Sequence, residues 1–136
     1  MGVFRVISKI DEYYAKMDES WIGVDLDGTL AIYNGQTHEI GEPVPAMLFR
    51  VRKWLADGKK VKIMTARVGK SPGKRSMGGT ASYIKEQHIL IDSWCMEHFD
   101  QTLEITCEKD FRMSALWDDR AIQVIENTGE RADGKL

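Results

Sequence analysis

The most informative segment of the chain reads Trp21-Ile22-Gly23-Val24-Asp25-Leu26-Asp27-Gly28-Thr29. An apolar run of strand length ends here in two carboxylates. A second run, Ala115-Leu116-Trp117, ends in Asp118-Asp119. Carboxylates gathered at strand ends are costly without a cation, and Mg²⁺ suits such oxygen ligands while keeping waters and taking further ligands from a phosphate. The segments therefore predict one Mg²⁺ site, point to phosphate chemistry, and give as metal-site residues Asp25, Asp27, Asp118 and Asp119.

Strand and helix signals alternate along the chain. The predicted strands are Trp21–Val24, Val61–Thr65, Leu103–Cys107 and Ala115–Trp117. The predicted helices are Val6–Met17, which could begin as a strand, Pro45–Gly58, a helix ending near Phe99, and Arg120–Thr128. This alternation predicts an α/β fold, a single Rossmann-like three-layer domain with a mainly parallel sheet, whose ligands gather at the carboxyl ends of the strands.

The turn signal Asn34-Gly35 predicts a short hairpin flap between residues 31–33 and 37–40. The segment from Leu30 to Glu42 has room for this flap and no large cap domain. We therefore expect an open site, unless a second copy of the chain in a homo-oligomer covers it.

The length and composition of the chain limit the kinds of protein that it can be. The chain has 136 residues, of which 43% are hydrophobic, and this suits one domain. We expect a leading segment 1–20, a core 21–129 and a tail 130–136. The net charge of −2 means that any nucleic-acid contact must come from a local patch. The chain shows no membrane-spanning run and no signal core, and its two cysteines lack metal or redox spacing, so a cytoplasmic protein is expected.

Two familiar motifs are matched only in part. The acids at 25 and 27 followed by Gly28 resemble a calcium loop, but the third acid is missing and the twelfth position is Gln36. The segment Gly69–Arg75 resembles a phosphate-binding P-loop, but it has three residues between its glycines and Arg75 where Ser or Thr is needed. Neither a calcium-binding hand nor a nucleotide-kinase site follows.

Four features in order resemble the haloacid dehalogenase (HAD) superfamily of phosphotransferases. The first motif is matched by Asp25-Leu-Asp-Gly-Thr29, the second by Ile63-Met64-Thr65, the third by Lys109, and the fourth by Asp118-Asp119. The segments following Asp25 and Asp118 also look like the phosphatase domain of phage polynucleotide kinases. The resemblance covers roughly residues 21–129 and implies a phosphatase with a minimal cap.

The resemblance implies roles for named residues. Asp25 is the expected nucleophile, which forms an aspartyl-phosphate, and Asp27 the expected general acid and base. Mg²⁺ is expected on Asp25, the backbone carbonyl of Asp27 and one acid of the fourth motif. Thr65 and Lys109 are expected to hold the transferring oxygens. The expected substrate-binding residues are Thr29, Arg67 and the basic loop residues Lys70, Lys74 and Arg75.

The expected reaction is hydrolysis of a phosphomonoester, on a nucleotide or on the 3′-phosphate end of a nucleic acid. A mononucleotidase or another small-molecule phosphatase is the main alternative. A receiver-like signalling domain and a non-catalytic Mg²⁺-binding domain are further alternatives. Arg120, directly after the acid pair, is assigned to packing or a salt bridge at a helix start.

Overall fold

Within the described residues, the regular structure consists of four parallel strands, two α-helices and a short 3₁₀ turn. The computed structural model describes residues 19–35, 37–70 and 79–136, so the predicted helix Val6–Met17 lies outside the described residues. The strands are β1 (Trp21–Val24), β2 (Lys60–Met64), β3 (Glu104–Thr106) and β4 (Met113–Trp117). The helices are α1 (Pro45–Ala56) and α2 (Ala81–Phe99). The sheet order is β3-β2-β1-β4 and every pairing is parallel, which confirms the α/β class and the parallel sheet.

The hydrophobic core lies between one face of the sheet and the two helices. The register pairs Ile22 with Val61 and Val24 with Ile63, so these side chains point to the same face. On that face, the buried cluster joins strand residues to residues from both helices, among them Met47, Val51, Ile91 and Cys95. Both crossovers move in the same direction along the sheet, and the right-handed rule for such connections places their helices on one face.

Helix boundaries follow local chemistry. Pro45 occupies the first turn of α1, where its missing N–H is not needed. Gly58, with φ of +78°, follows the end of this helix. At the start of α2 the Thr80 side chain accepts a hydrogen bond from the Tyr83 N–H, and Asp100 ends the helix in a left-handed conformation.

The opposite face of the sheet carries the connection from β3 to β4, residues 107–112, which crosses from one edge to the other. Its Asp110 accepts a hydrogen bond from Trp21 Nε1 at 2.8 Å. The Lys62 Nζ lies 4.5 Å from the centre of the Trp21 ring and 3.8 Å from the Asp110 carboxylate. These contacts attach the connection to β1 and β2, and so set where β4 begins.

β4 is an edge strand within the described sheet, and α1 holds its end. The Trp117 ring packs on Trp54 with ring centres 5.3 Å apart. Arg50 lies over the same ring at 4.8 Å. The last residue of β4 is therefore held between two side chains of α1.

The flap after β1 has a different pairing from the predicted one. Ala31 forms an antiparallel bridge with Pro43, and residues 37–40 form no strand. This wider loop closes because Gly41 lies directly against the Ile32 carbonyl, where a Cβ would be 2.0 Å from its oxygen. The predicted partners 37–40 were therefore wrong, while the flap itself remains short.

The predicted helix Arg120–Thr128 was wrong. The chain instead folds back, and Val124 forms an antiparallel bridge with Arg131. Asn127 has a φ of +65° and Gly129 a φ of +74°, conformations that make a turn and cannot continue a right-handed helix. The apolar spacing was misleading, because Val124 is half exposed on this fold-back.

No helix among residues 19–35, 37–70 and 79–136 is long and apolar enough to cross a membrane.

Candidate functional site

The carboxyl ends of β1, β2 and β4 meet at one cleft of about 410 Å³. The Asp25 N–H donates to the Trp117 carbonyl at 2.9 Å, and the Thr65 N–H donates to the Thr106 carbonyl at 2.8 Å. These bonds extend the ladder by one residue and fix where the first side chain after each strand lies. The cleft is lined by Asp25, Asp27, Tyr33, Met64, Thr65, Ala66, Arg67, Cys107, Asp118 and Arg120.

Three carboxylates form a compact cluster. Asp25, Asp118 and Asp119 can each place one oxygen within 4.8 Å of the others. Burial raises the pKa of Asp25 to about 7, helped by a hydrogen bond to Asp119 and by the charges of the neighbouring acids. That same hydrogen bond is the main cause that lowers the pKa of Asp119. In the absence of a cation, Asp25 therefore holds a proton below about pH 7 and donates it in a hydrogen bond to Asp119.

The cluster fits a hard divalent cation by its donors. Asp25, Asp118 and Asp119 offer only carboxylate oxygens, the ligands that Mg²⁺ and similar ions prefer. A cation here would replace the proton that now offsets the repulsion between the acids. The described residues could thus hold a metal ion. The Asp27 side chain is not in this cluster.

Gly28 and Thr29 hold the two acidic segments together. Gly28 has a φ of +93°, and a Cβ there would lie 2.8 Å from Asp119 Oδ2, so glycine is needed for both reasons. The Thr29 hydroxyl lies 3.1 Å from Asp119 Oδ1 and 3.4 Å from Asp25 Oδ2, and it accepts from the Asp119 N–H at 3.0 Å. Thr29, predicted to contact substrate, is thus placed between the carboxylates.

Arg67 binds Asp27 in a forked ion pair. Its Nε and Nη2 donate to the two Asp27 oxygens at 2.6 and 2.8 Å. Nη1 donates to the His38 carbonyl at 2.6 Å and to Gln87 Oε1 at 2.8 Å, and Nη2 also reaches the Glu39 carbonyl at 3.4 Å. All of its N–H donors therefore have oxygen partners. Arg67 therefore fixes Asp27 and the flap, and its predicted contact to a substrate phosphate stays a prediction.

Thr65 lies in the cleft wall as predicted. Its side chain is buried, and its hydroxyl oxygen accepts from the Arg67 N–H at 3.2 Å. This bond caps the short 3₁₀ turn Ala66–Val68 that follows β2. Thr65 thereby sets the direction in which the Arg67 side chain leaves the strand end.

Two of the predicted basic residues, Lys109 and Lys70, do not line the cleft. Lys109 is exposed in the connection 107–112, does not line the cleft, and has no hydrogen bond or ion pair with another described residue. Lys70 is exposed and does not line the cleft either. Lys74 and Arg75 lie outside the described residues.

Sequence reasoning missed two residues at the mouth of the cleft. Arg120 is exposed and lines the cleft, and its N–H donates to Asp118 Oδ1 at 2.8 Å. Tyr33 also lines it, with 55% of the residue exposed. The position of Arg120 directly after the acid pair indicated that it could lie at the site. The wrong prediction of a helix from Arg120 led instead to a packing or salt-bridge role. Tyr33 had no signal beyond its place on the flap.

Against protein-family models, curated proteins and solved structures, the chain shows no significant match. The resemblance to the HAD superfamily therefore stays a prediction that depends on the four sequence motifs.

Proposed function

We propose that the protein is a Mg²⁺-dependent phosphomonoester hydrolase that forms an aspartyl-phosphate on Asp25. One observation carries the proposal. The cluster of Asp25, Asp118 and Asp119 shares its cleft with a second kind of carboxylate, Asp27, which Arg67 holds apart from the cluster. A site that only binds metal needs no such separately held acid.

Asp25, Asp118 and Asp119 would hold the metal ion, with the Asp27 backbone carbonyl as the further ligand that the HAD resemblance implies. When bound, the ion offsets the repulsion between the carboxylates and a phosphate dianion. Thr29 and Gly28 keep Asp119 close to Asp25, so the carboxylates that would bind the metal ion lie together before a substrate binds.

In the first step, an Asp25 oxygen attacks phosphorus and the bond to the leaving oxygen breaks. Asp27, protonated, gives its proton to that oxygen. In the second step Asp27 takes a proton from water, whose oxygen attacks phosphorus, and the bond to Asp25 breaks to return the carboxylate and inorganic phosphate. Arg67 fixes the direction of the Asp27 side chain by donating to both of its oxygens; one of these two hydrogen bonds must break for Asp27 to carry the proton that it transfers.

The substrate class that we propose is a nucleotide or the 3′-phosphate end of a nucleic acid. The cleft is bordered by a short flap, so a phosphate on a large molecule can approach it. The segment 67–75 contains no acid, and its cations Lys70, Lys74 and Arg75 would contact backbone phosphates beyond the reacting one.

The primary experiment is hydrolysis of a phosphoester panel with Mg²⁺, comparing wild type with Asp25→Asn. We expect turnover that chelator abolishes, Mg²⁺ restores and Asp25→Asn removes, while circular dichroism shows a retained fold. Turnover that persists in Asp25→Asn would overturn the nucleophile. A stable, acyl-phosphate form of wild type without turnover would instead indicate a receiver-like switch.

The polymer preference is tested with a 3′-phosphorylated oligonucleotide and the matching 3′-mononucleotide. We expect higher kcat/KM for the oligonucleotide, with an advantage that shrinks as salt rises. Replacing Lys70, Lys74 and Arg75 together by alanine should erase this advantage and leave small-ester turnover nearly unchanged. The matched control replaces Lys53 in the last turn of α1 together with Lys59 and Lys60 at the amino end of β2. A preference for the mononucleotide at every salt concentration would favour a nucleotidase.

A further inference from the structure

The mouth of the cleft carries one aromatic ring and one cation. Four of the lining residues are exposed: Tyr33, Ala66, Cys107 and Arg120. A substrate whose phosphate reaches Asp25 must pass these side chains. Tyr33 is the aromatic residue among them and Arg120 the charged one.

Arg120 is the lining cation with uncommitted donors. The guanidinium of Arg67 is fully engaged by Asp27, the flap carbonyls and Gln87. Arg120 makes no side-chain hydrogen bond or ion pair with another described residue, although its charge acts on Asp119. Its side chain lines the cleft and its charge acts on Asp119, so the guanidinium lies near the carboxylate cluster, where phosphate oxygens would lie.

Tyr33 lines the cleft near Arg67. It is close enough to Arg67 to interact with it electrostatically, and Arg67 holds Asp27. Because Asp27 would protonate the leaving oxygen, the organic part of a substrate must extend from that side. An exposed ring at this position offers a face on which a planar base can stack.

We propose that Tyr33 and Arg120 select the substrate of this hydrolase: the Tyr33 ring stacks on the base of a nucleoside leaving group, and Arg120 binds non-bridging oxygens of the transferring phosphoryl group. The assignment rests on the proposed phosphatase function. It gives the two residues separable effects, since one contacts only the leaving group and the other only the phosphate.

The test compares adenosine 3′-monophosphate with 2-glycerophosphate, which has no ring. Tyr33→Ala should raise KM for the nucleotide by about tenfold and leave KM for the glycerol ester unchanged, because base stacking has that order of strength. Tyr33→Phe should behave as wild type. Arg120→Ala should lower kcat/KM about equally for both substrates, by about tenfold or more, and Arg120→Lys should restore part of it.

Ile32→Ala and Arg112→Ala are the controls. Ile32 is 55% exposed, as Tyr33 is, and does not line the cleft. Arg112 is an exposed arginine at the opposite end of β4 that pairs with Glu19. Neither change should affect either substrate.

A binding measurement keeps the two proposals distinguishable. In the Asp25→Asn background with Mg²⁺, calorimetry should show that Tyr33→Ala weakens adenosine 3′-monophosphate but not inorganic phosphate, whereas Arg120→Ala weakens both. If wild type hydrolyses nothing but this pattern holds, the proposed chemistry is wrong and the selection is right. If wild type hydrolyses both esters and Tyr33→Ala affects them equally, the stacking assignment is overturned.

Discussion

Replacing Arg67 by Met should strongly destabilise the protein. The Arg67 side chain is 11% exposed and that of Asp27 is 21% exposed, so the change would leave a largely buried carboxylate without its partner. Removal of one partner from a buried ion pair costs about 3–5 kcal/mol. Because Asp27 keeps some solvent contact, we expect the lower end, about 3 kcal/mol in the free energy of unfolding.

Urea denaturation in chelator measures this loss, and a double-mutant cycle assigns it. Asp27→Asn removes the charge that Arg67→Met leaves unpaired, so the double variant should be more stable than the sum of the single effects by about 1–2 kcal/mol. The matched control is Arg131→Met, which breaks a forked pair with Asp133 whose side chains are 31% and 46% exposed. We expect a change of about 0.5 kcal/mol or less there.

The reasoning would be refuted by an Arg67→Met loss below about 1 kcal/mol, or by additive effects in the cycle. A kinetic measurement adds a second criterion. If Arg67 positions Asp27 as the acid, Arg67→Met should reduce turnover of an alkyl phosphate more than that of nitrophenyl phosphate, whose leaving group needs little protonation.

Three further changes test the carboxylate cluster. In metal-free protein the pKa of Asp25 is raised from 3.8 to about 7, so wild type loses stability as pH rises from about 4 to 7. The free energy of unfolding of Asp25→Asn should therefore exceed that of wild type by about 1–2 kcal/mol at pH 8, a figure reduced for the partial exposure of Asp25, and should equal it at pH 4. Parallel pH curves for the two proteins would contradict this. Mg²⁺ should raise Tm. Asp118→Ala and Asp119→Ala should each lower the apparent Mg²⁺ affinity measured from this rise by about tenfold or more, and the larger loss identifies the direct ligand. An unchanged Mg²⁺ response in both variants would contradict the metal site. Gly28→Ala should lower both stability and Mg²⁺ affinity, because the new Cβ would lie 2.8 Å from the Asp119 carboxylate. In the control Gly58→Ala the new Cβ meets nothing within 4 Å, so we expect only a loss of about 1 kcal/mol from backbone strain. Equal Mg²⁺ affinity in the two variants would contradict the close contact between residue 28 and Asp119.

Local signals were enough to predict the elements that place the site. The apolar runs before Asp25 and Asp118 gave two of the strands, and the Pro45 and Gly58 signals bounded α1, because these depend on neighbouring residues. The fold-back at Val124 was missed, because its β-branched residues also fit a helical spacing and the left-handed Asn127 could not be foreseen.

Side-chain partners were harder to predict than strand ends. The meeting of Asp25 with Asp118 follows from parallel strands, whose carboxyl ends share an edge. Asp27, the partner of Arg67, is 40 residues away in the sequence. The ion pair between them also depends on the flap carbonyls of His38 and Glu39, which accept from Arg67. The periodicity of apolar residues contains no information on which side chain pairs with Arg67.

The order of strands also has a consequence for how the protein forms during synthesis. Thr29 and Asp119, which hold the acidic segments together, are 90 residues apart, and β4 reaches β1 only after the connection 107–112 has crossed the sheet. A growing chain can therefore pair β1 with β2 while the cluster still lacks two of its acids. Contacts of such long sequence separation are expected to form late. A divalent ion bound by the cluster would therefore stabilise the pairing of the edge strand β4 with β1 after the rest of the sheet has formed.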